Sequence, residues 1–336
     1  MANVLAMILP LLQSELSVGG LSFDPLVWSA PLMWVVLGAF LGSALLMGFD
    51  REWARRVAVA GWVAFGAFWL VLVPHFALTQ KSLIEGVGSL AAVPLSVWAG
   101  YQLYEGRDSL FVLTRAVGLM GLVYVPFITI DPLRQTLVEV VTDQTAFLMS
   151  VFGFDPLVVD GFSHNGIEIT EKQYPYESTF WFEGDSKPIT YNILLACTGM
   201  GSIAIFSGGI LAVSAPLKRR LRALVVTSSV IYVLNLFRNV FIAVSFGHQR
   251  MQLFPDLVMT LFGLEDPQMV SYYVADRILA QTGSVVVLVG ITWVLVRELP
   301  EITVLVDDLL FLVTGTEYEL AAAFQPGEDA ATPGDD

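Results

Sequence analysis

Cysteine occurs once in this 336-residue chain and histidine three times. A single thiol forbids an intramolecular disulfide and leaves Cys197 to packing, metal ligation or thiol chemistry. Ligation is unpromising, because His75, His164 and His248 are scattered and there is no CxxC pair. His75 and His164 read as loop residues. Charge is also scarce: 14% of residues carry one, and the balance is −14. With no basic patch to neutralise phosphates, nucleic acid is a poor partner. The apolar start, Met1–Leu12, lacks the basic region and small-residue cleavage site of a signal peptide.

Apolar sequence is what abounds: 55% of the chain is hydrophobic and the mean hydropathy is +0.69. Crossing roughly 30 Å of hydrocarbon takes about 20 helical residues. Seven segments meet that length: Ala30–Phe49, Ala54–Val73, Leu83–Tyr104, Leu110–Ile130, Asn192–Val213, Leu224–Ser245 and Tyr272–Val296. Asn3–Leu12 is either an eighth, tilted crossing or an interfacial segment. The expected fold is thus an all-α polytopic integral membrane protein with seven to eight transmembrane helices.

Arginine and lysine in the short loops set the orientation. Arg51, Arg55 and Arg56, then Arg107 and Arg115, then Lys218, Arg219, Arg220 and Arg222, and finally Arg297 all fall on one side, taken as cytoplasmic. The segments Asp131–Tyr191 and Gly247–Ser271 then lie outside. The former opens with an amphipathic helix, Leu133–Val151, and continues with "GIEIT" and "STFWF", whose alternation and flanking Gly166 and Gly184 predict strands. This is a small outward-facing, β-containing cap. Ile302–Val313 is apolar but interrupted by Asp307 and Asp308, and reads as interfacial; the acidic last twenty residues read as a disordered tail. The divisions are 1–130, N-terminal membrane helices; 131–191, extracytoplasmic segment; 192–297, catalytic membrane helices; and 298–336, cytoplasmic segment and tail.

The topology brings three polar residues to one depth. Cys197 lies about five residues, roughly 8 Å, into its span; Arg238 and Arg277 sit a similar distance below the same face. Arginine within a span costs at least about 2.5–3.5 kcal/mol and faces the bundle interior or water. Asn235 and Asn239 neighbour Arg238, Tyr273 and Gln281 lie four residues either side of Arg277, and Gly201, Ala204 and Gly208, with Ser202 and Gly209 beside them, predict close helix packing. Each feature alone has a structural reading: packing for the thiol, an ion pair with Asp276 or Asp266 for Arg277, helix locking for Arg238. Together they favour acyl transfer, with Cys197 as nucleophile, one arginine holding the thiolate and the other the oxyanion. His248 is a proton donor only in principle. Two rivals remain: an anion transporter or channel that binds through Arg238 and Arg277, and a scaffold whose polar residues lock helices.

The elements "LLACTGMGS", "NLFRNVFIA" and "ADRILA", in that order, resemble the archaeal branch of the exosortase/archaeosortase family of polytopic cysteine transpeptidases. The resemblance covers about half the chain. It implies that Cys197, Arg238 and Arg277 correspond to the family's catalytic triad, the bacterial members usually having histidine at the third position. It implies no metal or organic cofactor. The implied partners are C-terminal signal segments of secreted or surface-layer proteins, built from a Pro-Gly-Phe motif, an apolar helix and a basic tail. A membrane lipid is the implied acyl acceptor. Oligomeric state stays open.

Overall fold

In a computed structural model, residues 24–318 are described except 80–82, 170–171 and 185–186, and so are 17–18, 21–22 and 320. Asn3–Leu12 and nearly all of the acidic tail lie outside the described residues. The chain divides into two compact units, Met1–Leu119 with Leu211–Ala215 and Val296–Asp336, and Met120–Ile210 with Pro216–Leu295.

The first unit holds a short hairpin, β1 (Ser17–Val18) with β2 (Leu21–Ser22), then α1 (Pro25–Leu46), α2 (Arg51–Thr79) and α3 (Leu83–Tyr104). The first part of α4 (Leu110–Thr129) and α10 (Thr303–Thr314) belong to it as well. Aspartates start the first two helices: Asp24 accepts from the Leu26 N–H at 2.9 Å, and Asp50 accepts from Glu52 and Trp53. The last five residues of α2, His75–Thr79, are π-helical, so His75 ends a helix rather than sitting in a loop. Trp28, Val35 and Leu45 face outward, a pattern suited to lipid. Polar contacts gather at the turns. Arg51 and Arg55 both pair with Asp108, while Arg107 binds Asp308 at 2.9 Å, pairs with Glu317 and lies over the Phe311 ring at 3.7 Å. Asp308, one of the two acids that interrupt the apolar segment Ile302–Val313, is buried by this clasp.

The second unit contains the rest of α4, α5 (Asp131–Val151), a three-stranded sheet and all or most of four further helices. The sheet runs in the order β3 (Leu157–Val159), β6 (Thr179–Phe182), β7 (Ile189–Asn192), all antiparallel; β4 (Ser163–His164) and β5 (Ile167–Glu168) form a separate hairpin. The predicted strands are thus present, and His164 lies in β4 against the Trp181 ring rather than in a loop. Phe180, Phe182, Ile189 and Tyr191 pack with Val138 and Val141 of α5 and with Val240, Ile242 and Phe246 of α7 (Leu217–Gly247). Phe182 lies flat against Gly247, where a Cβ would meet its ring at 2.6 Å. The remaining helices are α6 (Met200–Ala212), α8 (Pro255–Phe262) and α9 (Met269–Glu298), whose Tyr273–Ala280 stretch is π-helical.

Five described helices, α1, α2, α4, α7 and α9, are long and apolar enough to cross a membrane. The expected seven to eight are not found among the described residues. α3 has the anticipated bounds but is not one of the five. The segment Asn192–Val213 departs most: it begins as strand, passes through a 3-10 turn at Leu195–Thr198, and is α-helical only over the 13 residues of α6. At 1.5 Å per residue that is about 20 Å, short of the hydrocarbon thickness.

Candidate active site

The turn that carries the thiol is shaped by its neighbours. The Cys197 N–H donates to the Leu194 carbonyl at 2.8 Å, and the Thr198 hydroxyl donates to the Leu195 carbonyl at 2.7 Å while accepting from the Met200 N–H at 3.3 Å. Such local side-chain bonds compete with helix. Gly199 follows at φ +76°, a left-handed conformation, with Asn235 so close that a Cβ would meet its side chain at 3.1 Å. Helix α6 starts only past this point. The thiol therefore sits in a turn at the head of α6, not several residues inside a span.

Two amides on α7 fasten that turn. Asn235 donates to the Cys197 carbonyl at 2.6 Å and Asn239 donates to the same oxygen at 2.8 Å. The Cys197 side chain is half-buried, and the Tyr191 hydroxyl is its hydrogen-bond partner. Arg238, between the two asparagines, is the cation whose field reaches the thiol, and it pairs with Asp276 at 2.6 Å. Arg277 pairs with the other Asp276 oxygen at 3.6 Å and lies over the Tyr272 ring at 5.9 Å. Asp276 also accepts from the Tyr272 hydroxyl. One carboxylate thus ties both arginines together.

The other expected residues are dispersed. Tyr273 packs on Phe262 at 4.8 Å, in a cluster with Val258, Val270 and Val274. Gln281 is the first residue after the π-helical stretch. His248 stands between the Phe154 and Phe182 rings and does not line the cavity at Cys197. The small-residue stripe is split as well. Gly201 is exposed, and a Cβ there would meet nothing within 4 Å, whereas Ala204, Gly208 and Gly209 are buried.

Cys197, Tyr191, Tyr272 and Asp276 share a cavity of about 380 Å³ that continues along β7 to Lys187 and Asp266. Lys187 and Asp266 form an ion pair at that end, 2.5 Å long. Burial works to raise the Asp266 carboxyl, but the Lys187 ammonium and the Gln268 N–H outweigh it and hold it below the usual carboxylate range. A second cavity, about 430 Å³ and mostly apolar, is lined by Gly199, Asn235 and Arg238 and by Leu279, Gly283 and Val287 of α9. Among the described residues no group of three or more His, Cys, Asp or Glu is placed to hold a metal ion.

Tyr191, Tyr272 and Asp276 were not anticipated as site residues. For Asp276 a signal exists: an acid inside an apolar helix is nearly as costly as an arginine, and it precedes Arg277 directly. Tyr191 lies in the strand before the thiol, and nothing in its local sequence marks it.

The chain belongs to the transmembrane exosortase family, whose sequence pattern matches residues 28–265. With its five apolar helices it is a multi-pass membrane protein. Within the family it is similar to archaeosortase A of Haloferax volcanii, 47% identical over 300 residues that cover 86% of this chain and 95% of that protein. Archaeosortase A of Natronomonas pharaonis is 38% identical over 292 residues, covering 86% of this chain and 90% of the relative. No solved structure matches the chain significantly.

Proposed function

We propose that this protein is a membrane cysteine transpeptidase of archaeosortase type, which removes a C-terminal Pro-Gly-Phe signal from exported proteins and couples the new C-terminus to a membrane lipid. Cys197 Sγ attacks the scissile carbonyl; the C–S bond forms, the C–N bond breaks, and the thiol proton leaves with the amine. A lipid head-group nucleophile then attacks the thioester and regenerates the thiol, with water as the competing acceptor. Arg238 supports the thiolate and the developing oxyanion electrostatically. Arg277 acts through Asp276 by orienting the carboxylate that holds Arg238. Asn235 and Asn239 fix the turn.

The observation that carries this reading is the half-buried thiol lining a cavity within the field of the half-buried Arg238. Both arginines already engage Asp276, which weakens the case for a site that binds a free anion. Orientation with the sheet outside rests on the arginine-rich turns. In the first unit, Arg51, Arg55 and Asp108 join the α1–α2 and α3–α4 turns at one end, as a shared cytoplasmic side requires.

The test compares wild type with Cys197→Ala at matched membrane levels, using a secreted protein that carries the signal. Mass spectrometry follows loss of its C-terminal helix and gain of lipid. Both events stop in the variant; unchanged processing returns the thiol to packing and restores the transporter reading.

A further inference from the structure

Strand β7 borders the sheet, pairing with β6 as its one strand neighbour among the described residues. Its register is fixed by the partners Phe180 with Tyr191 and Phe182 with Ile189. Just beyond it, the Ile193 N–H donates to the Ser178 carbonyl at 2.8 Å. Antiparallel strands alternate bonded and non-bonded pairs, so Tyr191 and Ile189 direct their main-chain groups to β6. Thr190 and Asn192 direct theirs to the opposite edge. Thr190 and Asn192 line the same cavity as Cys197. Asp266, Gln268, Met269 and Tyr272 line it too, as does Lys187, the ion-pair partner of Asp266. At about 3.3 Å per residue, the four residues of β7 form a track of roughly 13 Å that runs toward the nucleophile. The cavity volume of about 380 Å³ falls within the range of ligand sites.

We infer that the peptide substrate docks by strand addition. An extended segment ahead of the scissile bond pairs with the outward edge of β7 at Thr190, which supplies the central N–H and C=O. A segment that enters past Lys187 and presents its carbonyl to Cys197 runs parallel to β7. Main-chain bonds give affinity without demanding a sequence, while side chains on alternate residues meet the cavity walls. The Lys187–Asp266 pair borders this track, and both residues are partly exposed, so a peptide displaces their bond at little cost. This inference rests on the acyl-transfer reading and names the way its substrate is held.

The experiment uses the full-length Cys197→Ala chain in lipid nanodiscs and a fluorescent peptide ending in the Pro-Gly-Phe signal. Anisotropy reads its affinity. Single N-methyl groups are placed at successive residues ahead of the signal. Affinity falls about tenfold at every second position and hardly changes between them, since only alternate amides face the edge strand. A flat profile, or no binding of the parent peptide, overturns strand addition. A second arm changes the protein: Thr190→Pro deletes the outward N–H and spares the bonds to β6, whereas Thr190→Val keeps it. The proline variant loses affinity and the valine variant does not. Alkylation of Cys197 at the wild-type rate, in chains that retain the thiol, verifies that the turn is intact. Wild-type binding by Thr190→Pro overturns the inference. Alternating affinity with no cleavage by the Cys197-containing chain keeps the docking mode and removes the acyl-transfer reading instead.

Discussion

Asn239 lies 42 residues beyond Cys197, yet its side-chain amide donates to the Cys197 carbonyl at 2.8 Å. Asn235 donates to the same oxygen from one turn earlier on α7. The main chain at the thiol is therefore fastened to a different helix from the one it introduces. Arg238 lies between these two anchors, so the cation and the sulfur are positioned by one piece of helix.

Asn239 is fully buried, and its loss leaves the carbonyl with one donor instead of two. Asn239→Ala is expected to cost about 1–3 kcal/mol, the range for stranding part of a buried polar pair. Asn239→Asp is worse, since it sets a carboxylate against the carbonyl. Thermal unfolding in detergent reads the first effect, and the rate of Cys197 alkylation reads the displacement of the turn.

Gly199→Ala combines two penalties. The left-handed backbone costs an L-residue roughly 1–2 kcal/mol, and the new methyl presses on Asn235. Processing is expected to fall sharply while membrane insertion persists. A variant with wild-type processing shows that the turn can be made without this conformation.

Removing Asp276 strands Arg238. Breaking a buried ion pair costs about 3–5 kcal/mol, so Asp276→Leu is expected to lower the thermal midpoint strongly and abolish processing. The double variant Arg238→Met/Asp276→Leu recovers stability but not activity. Failure of the double variant to recover stability separates Asp276 from Arg238 energetically.

At the start of α5 the Tyr176 hydroxyl, and after it Arg134, hold the Asp131 carboxyl below the usual carboxylate range. A depressed folded pKa means that the stabilisation is complete above the unfolded value and disappears as pH falls through the folded one. Tyr176→Phe removes the leading cause. The variant is expected to lose stability at neutral pH, where the carboxylate is ionised, and to approach wild type in acid, so the acid limb of its stability–pH profile is shallower.

The sequence makes the apolar helices and the sheet strands legible because each carries its own period or length. α9 falls within three residues of expectation at each end, and α7 ends within two but begins seven residues earlier, at Leu217. The segment leading to Cys197 does not, because hydropathy averages over strand, turn and helix alike: Ile193, Leu194 and Leu195 are as apolar as any span. What ends the strand and delays the helix is the set of contacts that Thr198, Gly199 and the two distant asparagines make. The meeting of Cys197 with Arg238 was foreseeable from topology and motif. Asp276 as the link between the arginines was not, since depth along the membrane normal says nothing about azimuth around a helix. The π-helical course of Tyr273–Ala280 is not legible either, since the four-residue spacing of Tyr273 and Gln281 from Arg277 reads nearly the same in both helix types.

That π-helical stretch has a genetic reading. A π-helical stretch behaves as a one-residue insertion in an α-helix, and here it spans Tyr273–Ala280 and includes both Asp276 and Arg277. Deleting a single residue within it and returning to α geometry keeps the two ends nearly in phase, because the wider turn had absorbed that residue, and turns the side chains inside the stretch. Hydropathy, length and every charged residue of α9 can survive such a deletion unchanged. The alignment of Asp276 with Arg238 cannot, so a gene can lose this centre by one codon while still encoding an unblemished membrane span.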